Sequence, residues 1–190
     1  ATTTTTTTDG PKTATSTDNY ITRLTPHHTA NVESFKSHHY LSRSVKSRPP
    51  KKWLQRLMRE FHDLKNMLPL ETAGAVFVAW SESQLDLMKA LVVPPTATPY
   101  AGGCFEFDIF FPPDYPSSPP AVNLMTTGGG SHRFNPNLYQ NGKVCLSLLG
   151  TWEGEKWNPE ESTLVQVLLS IYALIFVEKP SSNARSNAHS

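Results

Sequence analysis

Residues 133 to 152 read RFNPNLYQNGKVCLSLLGTW and place one cysteine in an apolar, strand-like run, eight residues after the Asn135-Pro136-Asn137 turn. A free cysteine in such a run is usually a small buried hydrophobe. Three features point instead to chemistry. Gly142 allows a sharp backbone just before Cys145. The Asn-Pro-Asn turn can aim a side-chain amide inward. The Trp- and Gly-rich turn that follows suits a shaped groove edge better than a plain hairpin.

The residue inventory limits which cysteine chemistry is open. A hydrolase needs an imidazole as base, yet only His189 follows Cys145, while His62 and His132 precede it. The usual triad order is therefore missing. Dithiol redox chemistry wants C-x-x-C, and the chain has only Cys104 and Cys145, with Cys104 read as structural. What remains is a cysteine that accepts an activated acyl group and passes it to an amine. Such a carrier needs no strong local base, but it does need a donor for the oxyanion, and an Asn amide can serve.

The elements that must position this segment are legible around it. KKWLQRLMREFHDLKN places Leu54, Leu57, Met58, Phe61 and Leu64 on one helical stripe, with Pro50 at its start and Pro69 beyond its end. Lys51, Lys52, Arg56, Arg59 and Lys65 occupy the opposite face, which reads as a solvated face or as a dock for an acidic partner. Strands are predicted at AGAVFVAW, LDLMKALVV, GGCFEFDIFF and AVNLMTT. In the third, Phe105, Phe107, Ile109 and Phe111 share one side and Glu106 and Asp108 the other, the pattern of a half-buried antiparallel strand. FPPDYPSSPP must be loop, because proline cannot donate to a ladder. TLVQVLLSIYALIFV predicts a helix capped by Ser162 or Thr163 and apolar nearly all round.

The fold class is therefore α+β: an N-terminal helix, a four-stranded antiparallel meander, the cysteine segment and a following helix. Residues 1–47, which open with Thr2 to Thr8, read as a disordered Thr/Ser/His-rich tail, 48–180 as the core domain and 181–190 as a second disordered tail. His27, His28, His38 and His39 form two pairs, but no acid or cysteine completes a metal site, and none is expected. Net charge is +1, from 17 basic and 16 acidic residues, which favours neither nucleic acid nor an anionic membrane. No signal-peptide pattern opens the chain, and the apolar stretch from Leu164 to Val177 falls short of the roughly 18 residues of a spanning helix. A cytoplasmic or nuclear protein is expected.

RFNPNLYQNGKVCLSLL resembles the active-site segment of ubiquitin-conjugating enzymes, whose usual pattern is His-Pro-Asn and then a Gly-Lys/Asn-Ile/Val-Cys-Leu run. RLMREFHDLKNMLP, TPYAGGCFEFDIFFPPDYPSSPP and WNPEESTLVQVLLSIYALI resemble the family's first helix, its third strand with the Tyr-Pro loop, and its tryptophan turn with the next helix, in that order. The Phe-Asn-Pro-Asn variant and the long LLGTWEGEKW turn resemble the larger, atypical members, closest to the Z type. The resemblance implies that Cys145 accepts ubiquitin or a ubiquitin-like modifier as a thioester from an activating enzyme and transfers it to a lysine amine, with a ligase. By the same resemblance Asn137 steadies the oxyanion loop or the intermediate itself, while Asn135 and Pro136 shape the turn. Lys51, Lys52, Arg56 and Arg59 would meet the activating enzyme, and Ser117, Asn158 and Pro159 would face a ligase. Tyr115-Pro116 falls where the family often has a cis peptide. No cofactor is implied, because ATP is used by the activating enzyme.

The sequence also departs from that pattern. Ser117 and Asn158-Pro159-Glu160 replace residues that usually grip ligases, and the family's C-terminal helices are missing. The apolar helix would then expose a large patch and leave the fold marginal. The alternative function is a catalytically weak binding module of the same fold.

Overall fold

The computed structural model describes residues 16–44 and 49–180. A short helix, α1 (Ser16–Leu24), leads into strand β1 (Thr29–Val32). Helix α2 (Lys51–Met67) is followed by β2 (Leu70–Glu71), β3 (Gly74–Ser81), β4 (Leu87–Val93), β5 (Phe105–Phe110) and β6 (Ala121–Leu124). The cysteine segment precedes α3 (Leu164–Ser170), which runs on as a π-helical turn over Ile171–Ile175. Strands β3 to β6 form the predicted antiparallel meander, while β1 adds to the free side of β3 in parallel, pairing Thr29 with Val78 and Val32 with Ser81.

Strand alternation explains the main core. Val76, Val78, Met88, Ala90, Val92, Phe107 and Ile109 all point to one face of the sheet, where they pack with Leu57, Phe61 and Leu64 of α2 and Leu168 and Ile171 of the last helix. Phe61 stacks on Trp80 at 4.8 Å between ring centroids. The buried stripe of α2 differs from the predicted one. Trp53 and Glu60 are inside, whereas Met58 is 47% exposed. The Trp53 indole donates to the Pro112 carbonyl at 2.9 Å, which draws the helix N-terminus over the proline loop.

The predicted disorder of residues 1–47 is corrected over 16–44; residues 1–15 and 45–47 lie outside the described residues, as does the predicted tail 181–190. The physical reason lies on the second face of the sheet. Leu87 and Phe110 project there and form a second apolar cluster with Phe35 and Tyr40 of the N-terminal segment. Each such side chain contributes about 1.5–3 kcal/mol when fully buried, and the pairing of β1 with β3 holds the segment beside them. This layer also corrects the half-buried reading of β5. Asp108 is fully buried: it accepts from the His39 N–H at 2.5 Å and from Lys89 Nζ at 2.6 Å. Cys104, read as structural, is exposed just before the same strand.

Two imidazoles are locked into this layer. His38 Nε2 lies 2.9 Å from the Met88 carbonyl, and Nδ1 accepts from the Tyr40 N–H at 3.2 Å. His28 packs edge-on against Phe77. Burial lowers both from the ordinary 6.5; at His38 the Met88 carbonyl and Asp108 oppose it, with Lys89 and His39 adding to the lowering. A depressed folded-state value means that the unfolded chain binds the proton more readily. Their contribution to stability is therefore complete above about pH 6.5 and lost as pH falls through the folded value. Denaturant melts between pH 7.5 and 5.5 should show stability declining with acid, with a shallower decline in His38→Gln. An unchanged slope in that variant would contradict the assignment.

Thr163 caps α3 in a full capping box with Gln166. The expected large apolar patch on this helix is not observed. Leu164, Val165, Val167, Leu168, Ile171, Ile175 and Phe176 are buried by α2, the sheet and the loops around Tyr100, leaving Leu174 as its exposed large side chain, at 57%. No α-helix follows Ile175 among the described residues, and none of the described helices is long and apolar enough to cross a membrane.

Candidate active site

The Asn-Pro-Asn turn is built by its own side chains. The Asn135 carboxamide oxygen accepts the Asn137 N–H at 2.8 Å, and Leu138 N–H closes onto the Asn135 carbonyl at 3.0 Å. Asn135 Nδ2 donates to the Tyr100 hydroxyl at 2.8 Å and to the Ile175 carbonyl at 2.9 Å. A buried asparagine thus pins the turn to the end of the last helix, a role of position rather than of proton transfer.

Cys145 is tied to this turn twice. Its N–H donates to the Asn137 carbonyl at 2.8 Å, and Asn137 Nδ2 donates to its carbonyl at 2.9 Å. The opposite edge of the segment is held by Thr151, whose hydroxyl donates to the Val144 carbonyl at 2.7 Å and accepts the Leu146 N–H at 3.0 Å. Val144 and Leu146 point into the core, so the backbone on both sides of the cysteine is fixed. Gly142 sets the approach. Its φ of 88° favours glycine, and a Cβ there would collide with the Asn123 carboxamide. The close contact lets Leu124 N–H reach the Gly142 carbonyl at 2.8 Å, docking the segment on the edge of β6.

The structure therefore brings together Asn135, Pro136, Asn137 and Cys145. In the described conformation the cysteine is only 2% exposed. Among the described residues no imidazole bonds to it: His132 is hydrogen-bonded with Ser131 and stacks on Phe134.

The basic face of α2 divides. Lys51, Lys52 and Arg59 are exposed. Arg56 is turned inward: Nε pairs with Glu60 at 2.8 Å, and the other two nitrogens donate to the Pro159 carbonyl at 3.0 Å and the Ser162 carbonyl at 2.5 Å. Its assignment to docking is corrected to a structural tie, made by the buried carboxylate one turn away. Burial would lower the guanidinium, but Glu60 and Tyr115 hold it above its ordinary value. Sequence reasoning missed Glu60. It also accepts from the Tyr115 hydroxyl at 2.5 Å and from the Leu164 N–H at 2.9 Å. Burial, and then the Glu60 carboxylate, push the Tyr115 phenol up. A glutamate set between Leu57, Phe61 and Leu64 of the apolar stripe was the available signal.

Ser117, Asn158 and Pro159 lie on the loops that meet beside Trp157; Asn158 and Pro159 are exposed and Ser117 is too. The Trp157 indole donates to the Pro116 carbonyl at 2.7 Å, joining the proline loop to the tryptophan turn. The Tyr115–Pro116 bond is cis, as the resemblance implied.

Residues 56–190 match the family described as ubiquitin-conjugating enzyme. The chain belongs to the ubiquitin-conjugating enzyme family. It is 58% identical over 132 residues to the human dual E2 ubiquitin-conjugating enzyme/E3 ubiquitin-protein ligase BIRC6, covering 68% of this chain and 3% of that protein. It is 47% identical over 156 residues to the Arabidopsis thaliana protein named "Probable ubiquitin-conjugating enzyme E2 25", covering 80% of this chain and 24% of that one. The chain thus spans a small part of these relatives. The solved structure of human ubiquitin-conjugating enzyme E2 G1 superposes with a TM-score of 0.54 at 29% identity, covering 67% of this chain and 96% of that chain. The α+β ubiquitin-conjugating fold expected from the motifs is the one observed, with a mixed sheet because of β1.

Proposed function

We propose that this chain carries ubiquitin or a ubiquitin-like modifier as a thioester on Cys145 and hands it to a lysine amine. The observation that supports this most is the double tie between Cys145 and Asn137, inside the segment that also carries the family motif. In the first step the Cys145 thiolate attacks the carbonyl of the modifier's thioester with an activating enzyme. A new C–S bond forms, and the activating enzyme's sulfur leaves as thiolate. In the second step the amine attacks that carbonyl, an amide forms, Cys145 leaves as thiolate, and the amine proton passes to solvent. Asn137 is a positioning residue here, acting through the cysteine's backbone. Lys51, Lys52 and Arg59 supply positive charge for the activating enzyme, and the surface of Ser117, Asn158 and Pro159 faces a ligase. ATP is spent by the activating enzyme, so no cofactor is bound here, and the setting is the cytoplasm, the nucleus or both. The long Trp- and Gly-rich turn supports kinship with the Z type.

A cysteine that is 2% exposed must be uncovered before it can be charged. Iodoacetamide followed by mass spectrometry should label exposed Cys104 first and Cys145 more slowly but to completion in the native protein. With activating enzyme, ATP and a panel of modifiers, a reductant-sensitive adduct should form and be absent in Cys145→Ala. A Cys145 that stays unlabelled until the chain is denatured, or a chain that no modifier charges, would refute the carrier reading.

A further inference from the structure

Tyr100 ends the Pro-rich PPTATPY turn, and that turn holds it in place. Thr98 Oγ1 donates to the Pro95 carbonyl at 2.8 Å and accepts the Tyr100 N–H at 3.3 Å, while Gly103 N–H closes onto the Tyr100 carbonyl at 3.0 Å. The ring packs edge-on against Phe105 at 6.1 Å and Phe176 at 5.1 Å between centroids. Backbone and ring together aim the hydroxyl at the buried carboxamide of Asn135.

The bonds around that carboxamide fix its orientation. Oδ1 faces a backbone donor, the Asn137 N–H, and Nδ2 faces a backbone acceptor, the Ile175 carbonyl. Nδ2 gives its second hydrogen to the Tyr100 hydroxyl at 2.8 Å, so the hydroxyl sends its own proton to the Phe134 carbonyl at 3.2 Å. Both amide hydrogens and the amide oxygen are then in use, at a residue only 4% exposed. Without the hydroxyl a buried N–H has no partner, and the carboxamide must tilt to find one. The tilt is passed to the Asn137 N–H through the shared amide oxygen. Asn137 in turn holds Cys145 by the two bonds described above.

We propose that Tyr100 is a positioning residue for transfer from Cys145, acting through Asn135 on the Asn137–Cys145 pair. The inference rests on the carrier reading of Cys145. The phenol keeps the turn in the register at which Asn137 meets the cysteine backbone. Discharge depends on that register more than charging does. During charging the reacting carbonyl arrives held by the activating enzyme, whereas during discharge this chain alone must place it for the amine.

Tyr100→Phe keeps the ring and removes the hydroxyl. Ser81→Ala is its control: that buried hydroxyl also donates one bond, to the Glu33 carbonyl, and accepts one, from the Gln84 N–H, and these partners lie outside the cysteine segment. In single-turnover assays Tyr100→Phe should slow discharge of the preformed thioester to free lysine about tenfold and charging less than about twofold, with Ser81→Ala changing neither by more than about twofold. Added to Asn135→Ala, Tyr100→Phe should slow discharge by less than about a further twofold, because its route is already cut. Equal slowing of charging and discharge, a loss no larger than that of Ser81→Ala, or a full loss without the Asn135 carboxamide would overturn the role. Amide hydrogen exchange followed by NMR reads the same link on the uncharged chain. The Asn137 N–H should exchange several-fold faster in Tyr100→Phe and at the parent rate in Ser81→Ala. An unchanged Asn137 rate in Tyr100→Phe would overturn the link. A chain that no modifier charges would count against the carrier reading alone, since exchange decides the link without it.

Discussion

Replacing Glu60 with alanine is expected to lower the unfolding free energy by about 3–5 kcal/mol, the scale for removing one partner of a buried ion pair. The carboxylate is 1% exposed and gathers three donors from three elements: Arg56 within α2, Tyr115 from the proline loop and the Leu164 N–H that opens α3. Without it a buried phenol and a helix N-terminal amide lose their acceptor, and a partly buried guanidinium loses its counter-ion. The Glu60→Gln variant would keep the shape but put an amide N–H against other donors, and should cost about 1.5–3 kcal/mol, the value of a hydrogen bond to a charged group. Urea melts of Glu60→Ala and Glu60→Gln should shift the midpoint at unchanged slope. A loss below about 1 kcal/mol in the alanine variant would show that the network relaxes onto other acceptors.

Asn137→Asp should slow transfer from Cys145 to free lysine by about 10²-fold, the scale for a misplacement of about 1 Å at a reacting centre. The carboxamide N–H that now donates to the Cys145 carbonyl would be replaced by a carboxylate oxygen facing that carbonyl. Repulsion would push the cysteine's backbone out of register with the turn. The residue is half-buried and loses one bond to a carbonyl, so stability should fall by only about 0.5–1.5 kcal/mol. Single-turnover discharge of the preformed thioester, compared with the rate of its formation from the activating enzyme, separates the roles. Positioning for aminolysis slows discharge far more than charging. A merely structural asparagine would slow both alike.

The site was more legible than its surroundings. Asn135, Asn137, Gly142 and Cys145 are local, and turn chemistry and glycine conformations are written in short stretches of sequence. The meander was also legible, because alternation such as Phe105–Phe107–Ile109 survives in any context. What sequence concealed depends on contacts between distant segments. The N-terminal residues have too few apolar side chains to predict order, yet Phe35 and Tyr40 meet Leu87 and Phe110 on a sheet face that pattern alone leaves open. Asp108 looked solvent-facing for the same reason. Arg56 looked like its lysine neighbours, and only the buried Glu60 beside it turns it inward. Helix periodicity favoured Met58 over Trp53, because hydropathy does not register an indole N–H that finds the Pro112 carbonyl.

Strand β1 has a consequence for how copies of this protein behave toward one another. Along Val78–Ser81 it occupies main-chain groups that β3 would otherwise present to solvent. The β3 sequence GAVFVAWS is β-branched, aromatic and uncharged, the composition that invites intermolecular strand stacking when its rim is bare. A chain beginning at α2 would uncover that rim together with Leu87 and Phe110, and would self-associate where the longer chain stays dispersed. The N-terminal segment is, in this sense, a guard against aggregation carried by the fold itself.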